Sequence, residues 1–278
     1  MKKSFLILIL LAFAFQGVAQ EQIIPQQISG EIQLYVNLFS QKRQSQTNAM
    51  LQRSYVYFPV IEKSLEWYQI PQWLEYLPMV ESTLNTSAKS RSGRMGLWLL
   101  TPSMASRYGL VVDDEINECF DPILATDVAC DRLQELHDYY GDWLLVVAAY
   151  NTSQATVDRA IARADGARDY FAIHQYLPRE TRGFVPALLA INYVMSHPEE
   201  YGLKPMCGVD LWSDLETVSV TDSISFSRIS ATVGIPMEEL CLFNPKYINK
   251  WIPVSTGVSY TLRLPQKYVA TFKKCIEQ

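Results

Sequence analysis

Histidine is scarce. The chain has three (His137, His174, His197), far apart and without the H-E-x-x-H spacing, which leaves a histidine-based zinc site without ligands. Neither G-x-x-x-x-G-K nor G-x-G-x-x-G occurs, so no phosphate cradle points to a nucleotide. A basic excess is also missing. With 24 Lys and Arg against 29 Asp and Glu, the net charge is −5, the opposite of the electrostatic footprint of a nucleic-acid binder. No C-x-x-C is present, which removes redox and zinc-ribbon readings. The five cysteines (Cys119, Cys130, Cys207, Cys241, Cys275) are an odd number at irregular spacing. Cys119 with Cys130, or Cys241 with Cys275, would close loops, and small buried thiols explain them equally well. What is abundant is apolar and aromatic: 49% hydrophobic residues, among them 16 Tyr, 11 Phe and 6 Trp, exclude a largely disordered chain. A length of 278 residues accommodates one large domain, or a domain plus a small module.

The one long apolar run lies at the N-terminus. Lys2 and Lys3 precede Phe5 to Phe15, and Gly17-Val18-Ala19 offers small residues for cleavage. Residues 1–19 therefore read as an export signal, too short to span a bilayer comfortably, with an N-terminal membrane anchor as the alternative. No cysteine follows the cleavage site, so a lipoprotein anchor is not indicated. Residues 20–46, Gln-rich and containing Pro25, read as an extended or helical arm.

From Thr47 to about Val194 the apolar spacing is helical. Leu51, Tyr55, Phe58, Ile61, Leu65 and Trp67 fall near a 3.6 period before Ile70-Pro71 breaks the run, with Pro59 splitting it into two shorter helices. A second helix runs from Gln72 to about Thr83, with Pro78 kinking it. Ser82 to Met95 is polar and small, hence a loop. Further helices fall at 102–108, 122–140, 142–150, 153–163 and 181–197, with Asp121-Pro122 a helix start and Gly141-Asp142 a break. The pattern changes after Gly202. Lys204-Pro205-Met206-Cys207-Gly208 is turn-like, Thr217–Val220 and Tyr260–Leu264 alternate like strands, and two short helices lie between them around Gly234 and Pro236. The division is a mainly α domain over 47–205 and a small βααβ module over 206–278.

Glu81 ends the apolar face Leu77-Pro78-Met79-Val80 and opens the polar loop. A carboxyl against apolar neighbours keeps its proton to higher pH, which suits a general acid. Glu81-Ser82, Gly96-Leu97-Trp98 and Ala149-Tyr150-Asn151, in that order and spacing, resemble the motifs of the soluble lytic transglycosylase domain, in particular the membrane-bound lytic murein transglycosylase D type. The resemblance extends through Asp121-Pro122, Gly141-Asp142-Trp143 and Glu180-Thr181-Arg182, and the C-terminal module, with Asn244-Pro245 and Leu262-Arg263-Leu264-Pro265, resembles a LysM-like module.

This resemblance implies a goose-lysozyme-like helical domain that cleaves peptidoglycan glycan strands between N-acetylmuramic acid and N-acetylglucosamine, leaving 1,6-anhydro ends, in the periplasm. It gives Glu81 the role of single acid and base, and Ser90 that of a hydroxyl orienting the acid. Tyr150 is then the tyrosine whose hydroxyl approaches the carboxyl, and Asn151 a source of backbone and sugar contacts. Gly96 and Trp98 shape the cleft floor. Such chemistry requires no cofactor, nucleotide or nucleic acid; partners are the glycan strands and any cell-wall protein that directs the enzyme.

Three positions depart from the family pattern. Leu99 stands where relatives usually have Gln, Thr152-Ser153 replaces Ala-Gly, and Phe184 replaces a Tyr. These losses raise the alternative of a weakened or inactive peptidoglycan-binding protein on the same fold. A water-using muramidase would need a second carboxylate near Glu81, for which Asp113, Asp114 and Asp121 are candidates. Lys89, Arg91 and Arg94 cluster just after Glu81 and read either as a solvated loop or as a cationic patch that lowers the Glu81 pKa. In the C-terminal module, Asn244, Pro245 and Tyr247 read as a glycan groove or a simple turn, and the module either binds glycan or docks on the catalytic domain.

Overall fold

The computed structural model describes residues 30–205, 208, 210–254 and 259–276. The expected signal, the start of the arm and residues 206 and 207 of the expected boundary lie outside them. The described chain is mainly helical with a small α+β module at its C-terminal end, as the pattern of periods implied.

The N-terminal segment forms α1 (Gly30–Asn37) and a π-helical turn over 38–42; Ile32, Val36 and Phe39 enter the main core, and α1 lies along α10 (Phe184–Ser196). Helix α2 (Gln44–Trp67) is one unbroken helix of 24 residues despite Pro59, not two. The missing proline N–H leaves the Tyr55 carbonyl without its intrahelical donor. The next carbonyl, that of Val56, accepts a bond from Trp212 Nε1 at 2.6 Å. Pro78 does not kink a helix either. It sits in the first turn of α3 (Leu77–Ser82), where its absent N–H has no intrahelical partner to lose, and the residues before it, 72–76, wind as a 3-10 turn.

Helix α4 (Pro102–Arg107) is capped by Thr101, and α5 (Pro122–Tyr140) by Asp121, which accepts from the N–H groups of Ile123 and Leu124. Gly141 ends α5 in the left-handed conformation, and Asp142 then caps α6 (Trp143–Asn151). Ser153 caps α7 (Gln154–Arg163), followed by the single turns α8 (Tyr170–Ile173) and α9 (Arg179–Arg182). Helices α6 and α10 are apolar almost all round and run through the middle of the core.

The C-terminal module has its own core. Strand β1 (Leu215–Val220) pairs antiparallel with β4 (Tyr260–Pro265), Leu215 opposite Pro265 and Val220 opposite Tyr260, while β2 (Ile224–Ser225) and β3 (Trp251–Ile252) form a two-residue ladder. Helices α11 (Phe226–Val233) and α12 (Met237–Phe243) lie between, and α13 (Gln266–Ile276), which the sequence pattern left unassigned, closes the module through Val269 and Phe272. The described cysteines (119, 130, 241 and 275) are free thiols, not the paired loops considered from the sequence.

Candidate active site

Glu81 sits in the last turn of α3 with its side chain only 2% exposed. Burial dominates its proton affinity and pushes its pKa up to about 7, against an opposing pull from Arg94. The helix ends abruptly after it: Thr83 and Leu84 both take left-handed backbone conformations, and Arg53 holds the Thr83 carbonyl at 2.9 Å. Ser82 ties this end to the loop opposite, its hydroxyl donating to the Leu97 carbonyl at 2.6 Å.

The loop over 82–100 is folded, not loose. Lys89 bridges to Met95 and Met95 to Leu100, and the 96–99 turn carries Gly96 at φ +81° and Leu99 at φ +46°. Gly96 faces the Cys119 backbone so closely that a Cβ would stand 1.8 Å from its carbonyl oxygen, so only glycine fits. Ser90 closes a tight turn: its hydroxyl accepts from the Arg94 N–H at 2.9 Å and shares a bond with Ser92. Its bonds therefore reach the residue that holds the acid, Arg94.

Arg94 meets three segments at once. Nη2 lies 3.1 Å from the Glu81 carboxylate, Nε donates to the Leu99 carbonyl at 2.8 Å, and Nη1 reaches the Asn151 carbonyl at 3.4 Å. Of the three cations read as a solvated loop or a patch, Lys89 and Arg91 are exposed and Arg94 is drawn inward. Tyr150 is buried, and its hydroxyl donates to the Trp98 carbonyl at 3.0 Å instead of to Glu81. Burial, with the Glu81 charge adding to it, raises its pKa well above the usual phenol value, so it stays a neutral donor. Trp98 is fully buried, its indole N–H bonded to Thr126 Oγ1, and props the site from beneath. Asn151 is half-buried at the end of α6, and Phe184 is half-buried at the start of α10.

These residues belong to a recognisable sequence pattern. Residues 58–172 match the transglycosylase SLT domain, and residues 214–276 match the LysM-like domain of lytic transglycosylase MltD. The chain pairs an SLT transglycosylase domain with an MltD-type LysM-like domain. Over 211 residues it is 28% identical to the membrane-bound lytic murein transglycosylase D of Escherichia coli K12, covering 74% of this chain and 46% of that protein. A tributyltin chloride resistance protein of an Alteromonas species is 34% identical over 109 residues, 39% of this chain and 52% of that one. The chain thus spans about half the length of these curated relatives. Among solved structures, the 70 kDa soluble lytic transglycosylase of Escherichia coli matches with a TM-score of 0.44 and 23% identity, covering 51% of this chain and 24% of that one.

Ser153, one of the positions noted as a departure from the resemblance, has an extended backbone (φ −170°) and caps α7, so its conformation does not call for glycine. None of the aspartates considered as a second carboxylate is an electrostatic neighbour of Glu81, on which Arg94 is the charged group that acts. Asp113 closes its own turn onto Glu115 and Ile116, and Asp121 is spent on capping α5 and pairing with Arg263.

A cavity of about 1610 Å³ lies elsewhere. Tyr55, Phe58, Glu62, Glu75, His137 and Trp143 line it, and Glu81, Trp98 and Tyr150 do not. Glu75 is also held up to about 7 by burial, but it is bonded by Gln72 and faces Glu62. Two buried acids of similar proton affinity therefore exist, and only Glu81 lies among the motif residues.

The LysM-like domain docks on the SLT domain. Ile116 bridges to Tyr247, Asn117 N–H donates to the Lys246 carbonyl at 2.8 Å, and Arg263 pairs with the fully buried Asp121. Asn244 is buried, its amide spent on the Leu240 and Arg263 backbone, and Tyr247 is buried with its hydroxyl on the Thr261 carbonyl. Asn244 and Tyr247 therefore form no open groove in this arrangement. Sequence reasoning undervalued Arg94 and Ser82; the signal available was their place beside Glu81 and within the loop between motifs.

Proposed function

We propose that the protein is a peptidoglycan lytic transglycosylase that cleaves the β-1,4 bond between N-acetylmuramic acid and N-acetylglucosamine. The observation that carries this reading is one buried carboxyl, Glu81, that holds its proton to about pH 7 among the matched motifs. No second carboxylate acts on it among the described residues. In the first step the protonated Glu81 gives its proton to the glycosidic oxygen, and the C1–O bond breaks with N-acetylglucosamine leaving. The 6-hydroxyl oxygen of the same muramic residue then bonds to C1, and its proton passes to the Glu81 carboxylate. The acid is regenerated and a 1,6-anhydro end remains. An intramolecular hydroxyl already close to C1 needs no second carboxylate to aim water, which suits a lone acid.

Ser90, Gly96, Trp98, Leu99, Tyr150, Asn151 and Phe184 form the surroundings of this acid in the proposal, with Ser90 acting through the Arg94 turn. Glycan strands are the proposed substrate, and the proposal places the protein in the periplasm, a reading supported by the apolar run in residues 1–19. No helix among the described residues is long and apolar enough to cross a membrane.

Purified peptidoglycan sacculi test the reading. The wild type is expected to solubilise them without generating new reducing ends, and Glu81→Gln to lower the rate by about 10²–10⁴-fold, the usual worth of a general acid. A rise in reducing ends matching the material released contradicts the proposal, because water has then entered the product.

A further inference from the structure

Among the described residues Arg94 is the cation on the acid, and its contacts cross-link the site. The guanidinium touches the last turn of α3 through Glu81, the 96–99 turn through the Leu99 carbonyl, and the end of α6 through the Asn151 carbonyl. Each contact is with one of the three motif segments, and the two carbonyl bonds fix the fork whether or not Glu81 is ionised. The Leu99 carbonyl is aimed at Arg94 by a left-handed residue, a conformation costly for leucine, which the Met95–Leu100 ladder holds in place. The turn that carries Arg94 is itself closed by Ser90.

We infer that Arg94 is a positioning residue of the reaction: anchored on the Leu99 and Asn151 carbonyls, its guanidinium holds the Glu81 carboxylate in place between proton donation and proton uptake. In the reaction the carboxylate forms as the proton goes to the leaving oxygen, so the contact strengthens when negative charge develops on Glu81. A planar, five-donor fork can serve two carbonyls and a carboxylate together, which an ammonium on a flexible stem does poorly. Arg94 places donors between the Leu99 backbone and the acid. This inference rests on the proposed role of Glu81.

The groups facing Glu81 are few. Arg94 comes from the 90–94 turn and Tyr150 from α6. Helix α10, which also packs on α3, carries no Asp, Glu, Lys or Arg, and Glu75 in the preceding 3-10 turn is engaged with Gln72 and Glu62. Removing Arg94 therefore takes away the cation that opposes burial, and the Glu81 proton is held more tightly.

The test combines direct titration with kinetics. In protein carrying carbon-13 at glutamate carboxyls, the resonance missing from Glu81→Gln assigns Glu81. Its midpoint is expected to rise by about one pH unit or more in Arg94→Ala and to stay near the wild-type value in Arg94→Lys. On sacculi, Arg94→Ala and Arg94→Lys are both expected to lose at least about tenfold in rate, since neither keeps the fork. The alkaline limb of the pH profile moves upward in the alanine variant alone. An unmoved Glu81 midpoint in Arg94→Ala, or full activity in Arg94→Lys, overturns the inference. Should Arg94→Ala not fold, Arg94→Lys alone decides by its rate. The titration reads Glu81 even if the wild type releases nothing, so loss of the Arg94 inference and loss of the proposed reaction are told apart by different measurements.

Discussion

At the scale of single residues, Glu81 carries a conflict between stability and chemistry. Its pKa is about 7 in the folded protein and near the ordinary 4.5 when unfolded, so the folded state binds more protons between those values. Stability therefore falls as pH rises through that window, by up to about 1.4 kcal/mol for each pH unit crossed. Glu81→Gln removes the titration. Chemical denaturation from pH 4.5 to 8 is expected to show the variant gaining on the wild type with rising pH; a constant gap contradicts the buried-acid assignment. The same proton affinity makes the acid step decline above about pH 7, a limb the variant lacks. Glu81 was legible in the sequence because an apolar helix face ends on it. Arg94 was not, since Lys89, Arg91 and Arg94 are equivalent as letters, and only the turn closed by Ser90 decides which one points inward.

At the scale of elements, prolines and glycines mark what sequence reading reached and what it missed. The Asp121 and Asp142 caps and the Gly141 break were legible because each has a local cause within four residues. Pro59 and Pro78 misled, because a proline's effect depends on its place and on packing: α2, held on the core by residues on both sides of Pro59, runs through the one bond it lacks, and Pro78 begins a helix instead of interrupting one. The close approach at Gly96 is invisible in the sequence, since Cys119 lies 23 residues further on. Gly96→Ala forces both a left-handed alanine and a clash with the Cys119 carbonyl. It is expected to cost about 2–4 kcal/mol, read as a lower denaturation midpoint. A variant as stable as the wild type shows that the 96–99 turn is not held against Cys119.

At the scale of the whole molecule, the small domain is a brace on the large one. Two modules were legible from the change of period after Gly202, and their docking was not, because it runs through backbone pairing of Ile116 with Tyr247 and through residues 142 positions apart. Arg263 reaches the buried Asp121 that caps α5, so Arg263→Ala strands a carboxylate with no counter-charge. That variant is expected to lose about 3–5 kcal/mol and to become cleavable by protease between the domains. An unchanged denaturation curve with intact protease resistance contradicts a rigid dock.

Mass spectrometry of muropeptides released from sacculi in heavy-oxygen water, by the wild type and by Glu81→Gln, tests the central claim most directly. Wild-type products are expected to carry anhydro-muramic ends, lighter by one water and free of the heavy isotope, with almost none released by the variant. Heavy oxygen at the new muramic ends, or equal products from both proteins, contradicts a lone-acid transglycosylase.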